Sequence, residues 1–383
     1  MNFSKSPKTL LAGVLSLALV VTVLAADEPK TYIITPDAGS IAMMPELVNA
    51  KAPAWLKPGV HIVLDGLDGT ISPDEKKRGG GHGYQVVDVI SVQPDAVVLQ
   101  MTSYMIDPLT NHSSQYLSIG MITNPGGGQI WIAPEVFAKY SNLNGNGVAS
   151  KAVEYEAAGQ KYRAILTKTT TQNSTLSVYR DSETGLLLHS SSQVVNGADQ
   201  MIAHVTLAGR RMIETPWSPN RLPPALNGIK QFAMDGEEQT SIAGTSMVTT
   251  SHAQSKVVGR GPNFLQLETT GNKMIGATSV DLGKSMSVTG PNQLTPLAID
   301  PDDIKRLLPN QELDSDPITK MVVRVTQLPK NGEGDLIITV GAPGAGRQAS
   351  TFAYDGKTGM LREITVTNPA MNQTTKLRVG KIE

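Results

Sequence analysis

The chain has 383 residues, a formal net charge of −1, 40% hydrophobic residues, 17% charged residues and no Cys. This length predicts about two domains of roughly 100 to 200 residues, and the lack of Cys excludes disulfides, thiolate metal sites and cysteine nucleophiles. The balance of 33 basic and 34 acidic residues argues against a nucleic-acid-binding protein, because such proteins carry a basic excess or a basic stripe.

The N-terminus is typical of a secretory signal peptide. Lys5 and Lys8 precede an apolar stretch from Leu10 to Leu24, and the small residues Ala25 and Ala26 follow it. We therefore expect residues 1–26 to be removed, with an uncleaved membrane anchor as the alternative. No twin Arg precedes the apolar stretch, which favours general secretion. No second long apolar stretch follows, so we expect no membrane span after cleavage.

An export signal in a chain without Cys favours a bacterial source, because large eukaryotic secreted proteins usually form disulfides. Bacterial lipidation of the mature N-terminus needs a Cys and is therefore excluded. The predicted location is the periplasm or the cell exterior.

Three pairs of similar segments occur in the same order and indicate a tandem duplication. Their offsets are 170, 167 and 174 residues. The alternative is that similar turn chemistry arose independently in two places. The paired segments are residues 64–66 with 234–236, 132–135 with 299–302, and 179–187 with 353–361.

A proline-rich segment separates the two copies. Residues 215–224 contain Pro216, Pro219, Pro223 and Pro224, which cannot lie in a central strand or in a helix interior. We therefore place repeat domain 1 at residues 27–218 and repeat domain 2 at residues 219–383.

Alternation of apolar and polar residues predicts a mainly β fold in both copies. We expect two tandem homologous domains of antiparallel sheet, each a half-barrel or a sandwich with one or two short helices. The predicted strand segments are residues 85–90, 96–101, 163–168, 176–179, 186–195, 256–258, 264–267, 321–326, 335–340 and 362–367.

Few segments have helical patterns. Residues 134–140 and 301–308 each begin with Pro and acidic residues, which is usual at a helix start, and residues 44–50 are a third candidate. Ile304, Leu307 and Leu308 would form an apolar stripe that packs on the sheet.

Two segments have the chemistry of hairpin turns. In Asp181 to Gly185 and in Asp355 to Gly359, the Asp can accept backbone N–H groups and the Gly can adopt positive φ. These four residues are predicted to be structural. A calcium loop needs more oxygen ligands than they supply.

No catalytic, metal or cofactor motif is present in the sequence. The six His residues are scattered, and neither a nucleophile elbow nor a phosphate loop occurs. The most unusual segment is Arg78-Gly-Gly-Gly-His82, which could bind an anion or a partner or place His82 as a base. The alternative is a solvated hairpin loop.

The layout of each copy, with strands around the Tyr-x-Asp-x-x-Thr-Gly-Leu-Leu segment at residues 179–187, resembles the half-barrel domains of the outer-membrane lipoprotein carrier. The resemblance implies a curved sheet around an apolar cavity that carries acyl chains, and it assigns no ligand residue here. The leading hypothesis is an exported, soluble, non-enzymatic protein that binds a lipidic or apolar ligand or a lipidated partner. The alternatives are an envelope adaptor that binds proteins through edge strands and loops, and a secreted hydrolase that uses His82.

Overall fold

The computed structural model describes residues 32–34, 44–71, 80–106, 113–196, 199–219, 221–242, 245–330, 333–342, 348–369 and 372–383. These residues form two antiparallel sheets of ten strands each, sheet 1 and sheet 2. The predicted signal peptide and Arg78 lie outside the described residues.

The first ten strands along the chain form sheet 1, and the last ten form sheet 2. Sheet 1 contains β1 (Val60–Ile71), β2 (His82–Val92), β3 (Val97–Ile106), β4 (Ser113–Thr123), β5 (Asn144–Gly145), β6 (Val148–Ala157), β7 (Gln160–Thr170), β8 (Ser174–Asp181), β9 (Leu187–Asn196) and β10 (Asp199–Met212). Sheet 2 contains β11 (Gln231–Ile242), β12 (Thr245–Arg260), β13 (Leu265–Ile275), β14 (Thr278–Thr289), β15 (Glu312–Ser315), β16 (Val322–Gln327), β17 (Asp335–Gly341), β18 (Ala349–Asp355), β19 (Leu361–Asn368) and β20 (Gln373–Ile382).

The two sheets share one topology. Their orders are β4-β3-β2-β1-β10-β9-β8-β7-β6-β5 and β14-β13-β12-β11-β20-β19-β18-β17-β16-β15. In each sheet, the first four strands form one meander and the last six strands form a second meander. The last strand, β10 or β20, pairs antiparallel with the first strand of the same sheet, β1 or β11. The prediction of a mainly β fold with two tandem antiparallel domains is confirmed. Each copy is one continuous hydrogen-bonded sheet.

Sheet 1 is strongly bent. Strand β6 contacts β9 and β10, although β7 and β8 lie between β6 and β9 in the sheet order. Bulges interrupt the pairing of β1 with β10, β2 with β3, and β8 with β9. Because a bulge bends a strand and increases its local twist, these irregularities let one edge of the sheet fold back toward its middle.

The helices are α1 (Pro134–Phe137), α2 (Pro301–Ile304) and the 3-10 helices Pro45–Asn49, Ala138–Tyr140 and Pro224–Leu226. The predicted segments 134–140 and 44–50 are helical over all or nearly all of their length, and the predicted helix 301–308 ends early, at Ile304. Ile304 and Leu307 are buried, but Leu308 is 66% exposed, so its predicted place in the apolar stripe is wrong. Pro309 follows Leu308, and the residue before a proline is driven out of helical geometry.

Side chains fill both cores. In sheet 1, Trp131 is buried and donates through Nε1 to the carbonyl of Pro125 at 3.0 Å. In sheet 2, the hydroxyl of the buried Tyr354 donates to the carbonyl of Pro296 at 2.9 Å. Trp217 also packs in the second core, two residues before the predicted start of domain 2. The predicted boundary between residues 218 and 219 stays a prediction.

The two Asp-x-x-Thr-Gly segments form equivalent turns. Gly185 N–H donates to the carbonyl of Asp181 at 2.9 Å, and Gly359 N–H donates to the carbonyl of Asp355 at 2.7 Å. Both Gly residues have positive φ, +70° and +72°. In each turn the Asp carboxylate also accepts hydrogen bonds from the Thr three residues later.

An apolar cluster joins the two sheets. It contains Ile90, Ala96, Val98 and Ile122 of sheet 1 together with Phe264 and Val288 of the second copy. Strand β4, at the edge of sheet 1, lies against β14, at the edge of sheet 2. Backbone atoms of Ser287 and Val288 lie 2.3 to 2.7 Å from where a Cβ of Gly120 would stand, so only Gly allows this approach.

Candidate functional site

One face of sheet 1 carries a continuous line of polar and aromatic side chains across six strands. Its members occupy successive paired positions on β8, β9, β10, β1, β2 and β3, and we call them the aromatic row. They are Tyr179, His189, Thr206, Asp65, Tyr84 and Tyr104.

The bend of sheet 1 brings Tyr155 of β6 onto this row. The ring of Tyr155 lies 4.5 Å from that of Tyr179 and 5.8 Å from that of His189, measured between centroids. The ring of His204 lies 6.1 Å from that of His189 on its other side. Burial lowers the pKa of His189, and the neighbouring His204 lowers it further. At neutral pH His189 is therefore uncharged, and it lies in a half-buried group of rings.

The equivalent positions of sheet 2 are charged. The same ladder of paired residues across β18, β19, β20, β11, β12 and β13 forms the charged row: Ala353, Glu363, Arg378, Asp235, His252 and Asn272. Arg378 Nε lies 3.0 Å from Glu363 Oε2, and His252 Nδ1 lies 2.8 Å from Asp235 Oδ1. Solvated ion pairs thus suffice at this place in sheet 2, whereas in sheet 1 Tyr155 and Tyr179 also pack on the hydrophobic core.

His82, the candidate base, lies on β2 two residues before Tyr84 of the aromatic row. Its Nε2 is 2.6 Å from Oδ1 of Asp65, and both side chains are about two-fifths exposed, 43% and 44%. Asp65 and Asp235, which marked the repeat in the sequence, therefore each pair with a His. An Asp orients an imidazole in many catalytic sites, but acyl transfer also needs a nucleophile within hydrogen-bond reach of the His. The other loop candidate, Arg78, lies outside the described residues.

A turn of the second copy packs on the same face of sheet 1, near the start of β1 and the end of β10. Residues 314–320, at the end of β15 and the start of the link to β16, form what we call the finger. Arg211 of β10 makes two 2.6 Å hydrogen bonds to the carboxylate of Asp314. Ile318 of the finger lies 2.4 Å from where a Cβ of Gly209 would stand. The finger therefore packs closely on β10.

The centre of this contact is the buried His61. Its Nδ1 is 2.6 Å from Oδ1 of Asp88 in its own sheet, and its Nε2 is 3.5 Å from Oδ2 of Asp316 in the finger. The second distance is within ion-pair range but long for a hydrogen bond. The side chains of His61 and Asp316 are only 8% and 5% exposed, so water screens this pair weakly.

The protonation of these groups follows from their surroundings. Burial lowers the pKa of His61, but the carboxylates of Asp316 and Asp88 outweigh it and raise that pKa to about 9. Burial raises the pKa of Asp316, but His61, Thr319 and the Ile318 N–H hold it well below its usual range. Burial and the nearby carboxylates of Asp88 and Asp316 raise the pKa of Tyr104. The buried pair is therefore ionised at neutral pH.

The sequence reasoning did not find the finger, although a signal was present. Asp316, Thr319 and Lys320 occupy the places of Asp, Thr and Gly in the two predicted turns, with Lys320 at φ +61°. The hydrogen bonds are the same: Lys320 N–H donates to the carbonyl of Asp316 at 2.9 Å, and Thr319 Oγ1 donates to its carboxylate at 2.6 Å. A search for Asp-x-x-Thr without the Gly would have identified this third turn.

One pocket opens where α2 meets the proline-rich segment. It has a volume of about 10 Å³, and its walls include Trp217, Arg221, Asp300 and Asp303. Sites for drug-sized ligands are usually about 300 to 1,000 Å³ and mostly apolar, and this pocket is smaller and ionic. Within the described residues, no three His, Asp or Glu side chains are grouped for a metal ion. None of the described helices is long and apolar enough to cross a membrane.

Comparisons with known proteins give distant likenesses. No protein-family model matches the chain, and no curated protein matches its sequence. Among solved structures, it is similar to the MucA/MucB complex of Pseudomonas aeruginosa, with 9% identity, coverage of 90% of this chain and 92% of that chain, and a TM-score of 0.22. It is also similar to a DUF3598-family protein of unknown function from Nostoc punctiforme, with 10% identity, coverage of 83% and 94%, and a TM-score of 0.15. TM-scores this low carry no argument about function, and the resemblance to the lipoprotein carrier stays a hypothesis.

Proposed function

We propose that this protein is an exported, non-enzymatic binding protein of the bacterial cell envelope that binds a protein partner on the aromatic row of sheet 1. The observation that carries the proposal is the contrast between the two rows. The same ladder of positions holds solvated ion pairs in sheet 2 and half-buried Tyr and His in sheet 1. Tyr and other aromatic residues are enriched at protein interfaces because they combine a large apolar area with a polar group.

A protein partner fits this surface better than a lipid does. An acyl chain needs an enclosed apolar cavity, whereas the aromatic row presents hydroxyl, imidazole and carboxylate groups beside its rings. The apolar side chains of both sheets are packed against one another, as Trp131 and Tyr354 illustrate. A lipidic ligand, the leading hypothesis from the sequence, is retained as an outcome of the test.

A row-exchange variant tests the proposal. Tyr179→Ala, His189→Glu and Thr206→Arg together give sheet 1 the residues that sheet 2 carries at those positions. We expect the variant to stay folded, because sheet 2 accepts the same residues, and to lose partner binding by at least tenfold. The matched control exchanges Glu363→His and Arg378→Thr in sheet 2 and should bind as the native protein does.

The binding partner is identified by photo-crosslinking in envelopes of the native host. A photoreactive phenylalanine at position 179 should form a discrete protein adduct that the same group at position 353 does not form. Native mass spectrometry of the purified protein provides the lipid arm. Equal adducts at both positions, or stoichiometric lipid with no protein adduct, would overturn the proposal.

The absence of an enzymatic role is part of the same proposal. His82 and Asp65 form an exposed cross-strand pair. Sheet 2 also has an exposed His–Asp pair, His252 with Asp235, with His252 at the ladder position of Tyr84, which supports a surface role for such pairs. A hydrolytic activity that His82→Ala abolishes and His252→Ala leaves unchanged would contradict this part of the proposal.

A further inference from the structure

We propose that the finger is a pH-sensitive gate on the face of sheet 1, and that the ion pairs among His61, Asp88, Asp316, Arg211 and Asp314 hold it closed. The docking of the finger does not depend on the proposed function. Only the claim that docking controls access to the aromatic row rests on that function.

The finger is attached so that it can lift without unfolding either core. Strand β15 is the edge strand of sheet 2, has four residues and pairs only with β16. The apolar cluster around Phe264 joins the domains at the opposite sheet edges, β4 and β14. Release of the finger therefore breaks its contacts with β1, β2 and β10 and leaves the cluster in place.

The closed finger reaches the aromatic row. The carboxylate of Asp316 is close enough to Tyr84 and Tyr104 to raise the pKa of both hydroxyls, after the larger effect of burial. Tyr84 and Tyr104 are the last two members of that row. When the finger lifts, the part of the same face around His61, Gly209 and Arg211 loses its cover, and the face opens beside these two side chains.

Charged groups from every neighbouring element enter the balance at His61. Asp88 of β2 and Asp316 of the finger favour the imidazolium ion, and Arg211 of β10 disfavours it. Asp314 neutralises Arg211 through the two 2.6 Å hydrogen bonds. The closed state thus joins a cation of sheet 1 to an anion of the finger twice, as Arg211 with Asp314 and as His61 with Asp316.

The direction of the pH effect follows from the two shifted pKa values. Docking adds the Asp316 carboxylate to the surroundings of His61 and raises the pKa of its imidazole, so this contribution is present while the imidazole is protonated and is lost as pH rises through about 9. Docking lowers the pKa of Asp316, so its contribution is present above the ordinary Asp value of about 4 and is lost in acid. The gate should hold best between about pH 5 and 7 and loosen toward alkaline pH.

The test compares two variants, each of which replaces the Asp of a turn by Asn. Asp316→Asn removes the charge from the finger, while its amide oxygen can still accept the Ile318 N–H and its amide nitrogen can donate to Oγ1 of Thr319. Asp355→Asn makes the same change in the turn that follows β18, where the Asp accepts from Lys357 and Thr358 and has no role in the finger contact. It is the matched control for any general effect on such turns.

The first measurement is the titration of the His61 imidazole by NMR in the full chain. We expect a pKa near 9 in the native protein and in Asp355→Asn, and a value at least one unit lower, a tenfold change in the proton-binding constant, in Asp316→Asn. An ordinary pKa near 6.5 in the native protein, or the same value in all three proteins, would overturn the proposal.

The second measurement reports the position of the finger directly. Because the chain lacks Cys, spin labels can be attached uniquely at Ser315→Cys and Lys57→Cys. We expect one narrow distance distribution at pH 6 and a second, longer population at pH 10 or in Asp316→Asn, with the closed-to-open ratio reduced about tenfold. A single unchanged distribution in every condition would show a static contact and refute the gate.

Discussion

Gly185 and Gly359 hold the same place in the two copies and meet the same obstacle. At each, an added Cβ would lie 1.7 Å from a backbone carbonyl oxygen, that of Ile132 or Ile299. Each Gly also has positive φ, which side chains disfavour. This contact holds each turn against the residues just before a short helix, α1 after Ile132 and α2 after Ile299. Each Gly therefore fixes both the turn and the position of that helix.

We expect Gly185→Ala and Gly359→Ala each to lower the free energy of unfolding by about 3 kcal/mol or more, since strain and overlap act together. Gly228→Ala is the control for strain alone, because Gly228 has φ +77° and nothing lies within 4 Å of its added Cβ. It should cost about 1 kcal/mol. Urea unfolding of the purified proteins measures all three. Equal losses at Gly185 and Gly228 would contradict the steric explanation.

At the scale of elements, two buried carboxylates connect the short helix α2 and its N-cap to the proline-rich segment, and the first, Asp300, pairs with Arg221 at 2.8 Å. Asp303 accepts from the backbone N–H of Ser218 at 2.9 Å and from its hydroxyl at 3.2 Å, and it also pairs with Arg306. Its side chain is 4% exposed. The segment between the two sheets is therefore attached to the second core by hydrogen bonds as well as by the packing of Trp217.

Asp303→Ala should reduce the free energy of unfolding by about 3 kcal/mol, because it leaves the Ser218 donors buried and without their acceptor. The neighbouring Asp302 is 79% exposed and pairs with Lys305 on the surface, so Asp302→Ala should leave the urea midpoint unchanged. If both variants shifted the midpoint equally, general loss of negative charge at the helix start would explain the effect.

Strands with one buried face are among the elements that the sequence predicted. Residues 335–340 lie in β17, where burial alternates, and residues 163–168 lie in β7. Strand β14 was not predicted, because its first eight residues are exposed on both faces and carry no alternation. The aromatic row could not be predicted from the sequence. Its six members lie on six different strands, and only the register in which those strands pair brings them side by side. The finger was missed because Lys320 occupies the place of the expected Gly.

At the scale of the whole molecule, two copies of one topology have become unequal. The turn after β15 became a finger that docks on sheet 1, whereas the corresponding turn between β5 and β6 is formed by exposed residues, including Gly145 and Asn146. The row across sheet 1 is aromatic, and its counterpart in sheet 2 is ionic. One copy thus carries the proposed binding face, and the other carries the finger that docks on the same sheet.

The close approach of β4 and β14 makes the two sheets one cooperative unit, and Gly120 is the residue on which that approach depends. Gly120→Val should force the sheet edges apart, because backbone atoms of the second copy lie within 2.7 Å of the added Cβ. Each sheet keeps its own core, so we expect calorimetry to resolve two unfolding transitions in the variant in place of a single one in the native protein. Gly66→Ala, whose Cβ would only reach ordinary contact at 3.4 Å with Val205 inside sheet 1, is the control and should keep the single transition. A single transition in Gly120→Val would mean that the apolar cluster and the finger hold the domains together without the contact between the edges.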